Sequence, residues 1–289
     1  MPVSAPKYSG FVAVRVPTAT VRIRGASSVR ALPVHCDTIK TWKRWCCASP
    51  IVLAMASSGE DINKSRPSFW ESKWETSSTP WDCGAAHPYL KRFLETGEYG
   101  RLRQQIAESG VSTDESAPPL KPRSALIPGC GSGYDAVLVG AFANQVTAVD
   151  LSGIAVKRME NLAREADLTN VKGVVANFFV TQDWMSQGAP FDFIFDDTFF
   201  CAIDPSMRGK WARAMKEVTA PGSILLCSVF PNLQKPDGPP YGVSPQAYRD
   251  VLLPNAFKEI SVTEIPAELR ARAHITADSI DMAAVFVRE

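Results

Sequence analysis

Histidine is scarce in this 289-residue chain. Only His35, His87 and His274 occur, too few and too scattered for a His-rich metal centre. The seven cysteines are an odd number, and no two form a C-x-x-C pair. That speaks against a disulfide framework and against a zinc site, and it suits reduced thiols in a cytosolic or stromal compartment. Uncharged apolar runs of about 18 residues, the length that spans a bilayer, are missing too, so no membrane partner is expected. Nor is there a surplus of one charge: 31 Lys+Arg face 30 Asp+Glu, a net +1. A protein that works by broad phosphate neutralisation needs a basic surplus, so no nucleic-acid partner is expected either.

What charge there is lies unevenly. Residues 1–59 carry eight basic residues and one acid, Asp37. An Arg-rich, Ser-rich, acid-poor start has the composition of an organellar transit peptide. Small residues around Ala54-Met55-Ala56 would suit a processing point, and Met55 could instead be a second start. Residues 1–62 are therefore expected to be a disordered basic leader and linker, and 63–289 the functional domain. Its destination would be a chloroplast or mitochondrion after leader removal, and otherwise the cytoplasm.

Beyond the leader, an aromatic stretch (FWESKWETSSTPWDCG) precedes a helix over HPYLKRFLETG and a polar, Pro-rich loop at residues 112–122. Strand and helix patterns then alternate. SALIP, QVTAVDL, VKGVVANFF, FDFIFDD and SILLCSVF read as strands, with helices predicted over 134–142, 152–166, 205–218 and 245–253. Two last strands, at Lys258 and Asp281, follow each other without a helical pattern between them, so they should pair antiparallel at the sheet edge. The pattern predicts a doubly wound α/β fold with a mostly parallel, seven-stranded sheet.

In such sheets a ligand sits beyond the carboxyl ends of the strands. The first strand runs into LIPGCGSGYD, where Gly129, Gly131 and Gly133 alternate as G-x-G-x-G. The dinucleotide fingerprint is G-x-G-x-x-G, one residue longer. The second strand ends in Asp150, a carboxylate placed to accept two ribose hydroxyls. NAD and S-adenosyl-L-methionine (SAM) share that contact. No donor arrangement for a second phosphate accompanies the glycines, and SAM needs none. Its sulfonium would favour aromatic faces. Trp70, Trp74 and Trp81, four and seven residues apart, could supply them, or could equally be a core stripe at helical spacing.

Four separated stretches, FWESKWETSSTPWDCG, LIPGCGSGYD, FDFIFDDTFFCAIDPSMRGKWARAM and GPPY, occur in order. Together they make Phe69 to Glu289 resemble the plant and algal halide/thiol methyltransferases, within the thiopurine S-methyltransferase-like group of class I SAM enzymes with a Rossmann-like sheet. The resemblance implies that Trp70, Trp74 and Trp81 enclose SAM, that Gly129, Gly131 and Gly133 form its turn, and that Asp150 is the ribose acid. It places Asn177 and Phe178 at the adenine, where the family usually has an acid at the position of Asn177. It puts Asp197 where the family often has Tyr, beside the cofactor. Asp135 also recurs there; taken alone it is a charge suited to a helix N-terminus.

The reaction implied is an in-line displacement at the methyl carbon of SAM by a small anionic or thiol substrate: iodide, bromide, chloride, thiocyanate or hydrosulfide. A halide needs no general base, in keeping with so few histidines. Tyr241, in the loop after the fifth strand, is the candidate substrate contact. Cys201 reads as a core cysteine, since direct transfer needs no enzyme-bound intermediate. Arg208 and Lys210 read as solvated charges. Transfer to a larger thiol or a thiopurine, SAM binding without catalysis, and an NAD-dependent oxidoreductase stay open. The last is disfavoured by the short glycine spacing and the lack of a catalytic His or Lys-Tyr pair.

Overall fold

The computed structural model describes residues 62–109, 120–272 and 279–289, with side chains from Ser68 onward. The leader expected over residues 1–62 lies almost wholly outside them. The helices are α1 (Ile62–Glu75), α2 (Pro88–Glu95), α3 (Glu98–Glu108), α4 (Tyr134–Gly140), α5 (Gly153–Glu165), α6 (Arg208–Glu217) and α7 (Pro245–Leu252). The strands are β1 (Ser124–Pro128), β2 (Gln145–Asp150), β3 (Val171–Val175), β4 (Phe191–Asp196), β5 (Thr219–Val229), β6 (Phe257–Glu264) and β7 (Met282–Arg288).

The seven strands form one sheet in the order β3-β2-β1-β4-β5-β7-β6. Strands β1 to β5 are parallel. β7 runs antiparallel to β5 and to β6, so the last two strands close that edge as the sequence predicts. Layers cover both faces, which is why the central strands are apolar on both sides. In β1, Ala125 and Ile127 pack with Leu90, Phe93, Val139 and Met159 of α2, α4 and α5. Leu126 between them joins Trp211, Met215, Tyr248 and Leu252 of α6 and α7. From β1 the chain winds outward to β2 and β3, then crosses to β4 on the other side of β1. Strand order reverses there, and beyond the carboxyl ends of β1 and β4 is where such sheets place a ligand crevice.

Helix starts follow the predicted chemistry. Ser152 Oγ accepts from Ala155 N–H at 3.1 Å to begin α5, and Pro88 and Pro245 stand in the first turns of α2 and α7. The ends differ from expectation in three places, one of them β5, which begins at Thr219 and not at Ser223. β3 stops at Val175 instead of running through Phe179, because Asn177 Oδ1 takes Phe179 N–H at 3.0 Å and turns the chain locally. The helix expected from Pro205 opens as a 3₁₀ turn, Pro205–Met207, before α6.

Candidate active site

The glycine bend joins β1 to α4. A Cβ on Gly133 would fall 2.0 Å from Met159 Cγ and 2.9 Å from its Cα. That glycine therefore lets α5 lie directly on the bend. Gly131, at φ +53°, instead faces an indole: a Cβ there would sit 3.5 Å from Trp74 Cζ2. Phe199 packs over Gly129. Asp150 stands at the tip of β2 and is fixed from two sides. Gly131 N–H donates to its Oδ2 and Ser152 N–H to its Oδ1, both at 2.9 Å. Burial pushes its carboxyl above the usual range, and backbone N–H groups of Ser152, Gly131 and Leu151 oppose that push. Each oxygen keeps a lone pair for a further donor.

The tryptophans form a layer over the bend. Trp74 is 3% exposed. Its ring centroid lies 6.0 Å from that of Trp81, and Trp70 lies 5.3 Å from Trp81, both edge to face. Arg158 of α5 covers Trp74 at 5.0 Å. Asp82, next to Trp81, accepts from Ser132 Oγ at 2.6 Å and so ties this segment to the bend. The layer belongs partly to the core: Trp74 is buried, while Trp70 and Trp81 are half-buried.

Beyond β4 lies a buried polar cluster. Arg272, from the segment between β6 and β7, donates to both oxygens of Asp197 at 3.1 and 2.9 Å and to the Trp81 carbonyl at 3.3 Å. Burial alone would raise the Asp197 carboxyl; the guanidinium outweighs it and holds the acid below its ordinary value. The expected cofactor contact at Asp197 is thus already engaged in an ion pair. Asp135 Oδ1 accepts from His87 N–H at 2.7 Å, and burial with Asp197 nearby pushes its carboxyl up to about 7. His87 Nδ1 accepts from Tyr89 N–H, so Nε2 carries the proton and faces Ser228 Oγ at 3.5 Å. Burial keeps that ring neutral by lowering its pKa.

The remaining expected residues line the same rim with different exposures. Asn177 is half-buried beside β3, its amide oxygen already bonded to Phe179 N–H. Phe178 is 3% exposed and stacks on Trp184 at 5.3 Å, so it belongs chiefly to the core. Tyr241 N–H donates to the Cys201 carbonyl at 2.7 Å, which brings the loop after β5 against the turn after β4. Its hydroxyl lies 3.5 Å from Asp204 Oδ2. Cys201 is buried, and burial pushes its thiol up to about 12, in keeping with a core role. Arg208 departs from the expected solvated charge. It is half-buried, donates to the Gly242 carbonyl at 3.0 Å and lies 4.7 Å over Phe200.

The thiopurine S-methyltransferase family model matches residues 111–284. The chain belongs to that family. Among its relatives are the thiocyanate methyltransferases 1 of Arabidopsis thaliana, 34% identical over 208 residues, and of Brassica oleracea, 33% over 203. Each alignment spans 70% of this chain and 79% of the relative. Among solved structures, Burkholderia thailandensis 1,6-didemethyltoxoflavin-N1-methyltransferase with bound S-adenosylhomocysteine is 17% identical with a TM-score of 0.52, covering 77% of this chain and 86% of that one. A second, from work on the conversion of a disulfide into a thioacetal during echinomycin biosynthesis, is 19% identical with a TM-score of 0.53, covering 77% and 93%. These two share the fold, that of the class I SAM-dependent methyltransferases.

This thiopurine S-methyltransferase family member is accordingly a SAM-dependent methyltransferase, and the residues at the crevice fit that cofactor. Asp150 retains acceptor capacity for hydroxyls, Gly131 presents bare backbone, and indole faces beside it suit a sulfonium cation. Sequence patterns missed several residues that shape the site: Glu71, Asp82, Arg158 and Arg272. Asp82 and Glu71 sit inside the quoted tryptophan stretch and could have been weighed. Arg272 stands in a segment with no motif, and only the folded chain brings it to β4.

Proposed function

We propose that this protein transfers the methyl group of SAM to a small sulfur nucleophile, thiocyanate or hydrosulfide, with halide ions as a second acceptor class. The observation that carries this is the aromatic layer at the switch point: Trp74 against Gly131, Trp81 edge to face with both Trp74 and Trp70, and Phe199 over Gly129. When bound, SAM supplies an electrophilic methyl group on a cationic sulfur. The three indoles would hold that cation, Gly129, Gly131 and Gly133 would let the backbone approach, and Asp150 would anchor the ribose. Asn177 would flank the adenine at the β3 end, with Phe178 packed in the core beside it. Asp197 lies on the opposite, β4 side, as do Phe199 and Tyr241, so these would border the acceptor, while Phe200 is fully buried in the core behind them.

An anion and a cation that annihilate charge react faster away from water, and this wall of rings excludes it. Aligning the two partners is most of the remaining work. A small anion already bears its electron pair, so these residues need remove no proton. Tyr241 would contact the acceptor; its hydroxyl can donate to an anion. The names of the plant relatives agree with a sulfur acceptor of this size. The basic N-terminal composition favours an organellar address. Among the described residues no helix is long and apolar enough to cross a membrane.

The test is to incubate the purified protein with SAM and one acceptor at a time: thiocyanate, hydrosulfide, iodide, bromide or chloride. Methylated product is measured in the headspace. Thiocyanate and hydrosulfide should turn over, and iodide should precede chloride because it sheds water more readily. Turnover of aromatic thiols alone would replace this assignment with a larger-thiol methyltransferase. Binding of SAM with no acceptor consumed would make the protein a SAM-binding module.

A further inference from the structure

Glu71 lies between Trp70 and Trp74 on α1, and its carboxylate is left without a partner. Its Oε2 is shielded from solvent and has no hydrogen bond, while Oε1 comes within 3.9 Å of the position a Cβ would take on Gly153. That puts it at the start of α5, close enough to Asp150 for the two charges to repel. A carboxylate oxygen removed from water costs free energy until a donor reaches it. The N–H of Ser152 is committed to Asp150 and that of Ala155 to Ser152 Oγ, and no N–H at the start of α5 bonds the Glu71 carboxylate. Among the described residues there is no group of three His, Cys, Asp or Glu side chains that could place a cation there. Two acids close enough to repel, one with an orphaned oxygen, call for a ligand that brings hydroxyl donors.

We propose that Glu71 is a second ribose-binding acid, whose Oε2 accepts a hydrogen bond from one of the two ribose hydroxyls of SAM while Asp150 takes the other. The tryptophan helix α1 then does more than cover the cofactor. It reads the sugar through Glu71, so closure of α1 over the bend and recognition of the adenosyl group become one event. This rests on Asp150 as the ribose acid, and the experiment below separates the two assignments.

Calorimetric titration with S-adenosylhomocysteine and with its 2′-deoxy and 3′-deoxy forms tests it without any turnover. In the unmodified protein, loss of the hydroxyl that Glu71 binds should weaken binding about tenfold or more, as for a bond to a charged group. In Glu71→Gln, binding of the parent compound should weaken comparably, and loss of that same hydroxyl should then matter less than threefold. The ligand-free melting temperature should stay within a few degrees. Equal sensitivity to both hydroxyls in Glu71→Gln and in the unmodified protein would overturn the role of Glu71. So would a large fall in melting temperature with hydroxyl sensitivity unchanged, since Glu71 would then only stabilise the start of α5. Asp150→Asn provides the control. If it alone abolishes hydroxyl sensitivity, Asp150 is the sole ribose acid. If neither variant does, the ribose lies elsewhere and both assignments fall.

Discussion

Replacing Arg272 with methionine would strand a carboxylate. The change removes both bonds to Asp197 and the bond to the Trp81 carbonyl. The two side chains are 8% and 7% exposed, so water cannot readily take the guanidinium's place. Losing one partner of a buried pair costs about 3–5 kcal/mol, against about 0–1 kcal/mol for an exposed pair. At roughly 2–4 °C per kcal/mol for a chain of this size, melting should fall by about 6–20 °C. The loss should depend on pH in a definite direction. Asp197 is held below its ordinary value, so the pair's contribution is present above the unfolded carboxylate pKa of about 4 and is lost as pH falls through the folded value. In Arg272→Met the unpaired acid takes up a proton more easily, so the gap between the two proteins should narrow as pH drops from 7 toward 4. Converting the pair to Met and Leu together should recover much of the loss. Scanning calorimetry of the three proteins at pH 4 to 8 measures all of this. A loss below about 1 kcal/mol that does not vary with pH would show a solvated pair, leaving Asp197 available for direct ligand contact.

Two glycine variants should separate fold from site. Gly133→Ala drives a methyl group into Met159 and should destabilise the protein by about 2–5 kcal/mol in denaturant unfolding, whereas Gly131→Ala meets only an ordinary contact with Trp74 and should cost about 1–2 kcal/mol while weakening SAM binding. Equal stability losses would mean that α5 does not rest on the bend. Asp196 is fully buried, and burial pushes its carboxyl up to about 7. Its folded form prefers the proton, so its contribution is full below about pH 4 and is lost as pH rises through 7; the melting advantage over Asp196→Asn should shrink from pH 5 to 8, and a constant gap would contradict it. Trp70→Ala should weaken SAM about three- to thirtyfold, and S-adenosylhomocysteine less because its sulfur is uncharged, when both are titrated by calorimetry. Equal losses for the two ligands would remove the cation from the indole layer.

The sheet was legible because its strands carry their own boundaries. SALIP, QVTAVD and FDFIFD are short apolar runs closed by glycines or acids, and the structure pairs them as parallel neighbours around β1. The end of α1 was not legible. Its last turn closes with Ser78 N–H on the Lys73 carbonyl at 2.9 Å and Ser77 N–H on the Trp74 carbonyl at 3.1 Å, with Ser77 at φ +52°. That is the geometry glycine usually marks, formed here by serine. The tryptophan stretch therefore gave helical spacing without a stop, and its helix stayed unassigned.

The site divides along a similar line. What a strand end dictates could be read from sequence: Asp150 closes β2, and the glycines follow β1. What depends on distant segments meeting could not. Asp197 is expected beside the cofactor because nothing local announces that Arg272, 75 residues on, reaches it. That partnership changes the chemistry of the rim. A lone buried carboxylate would repel thiocyanate or iodide, whereas a carboxylate neutralised by a guanidinium leaves a dipolar wall that a soft anion can approach. On the proposed acceptor class, Asp197 can therefore stand near the site without repelling an anion, because the fold brings the compensating charge with it.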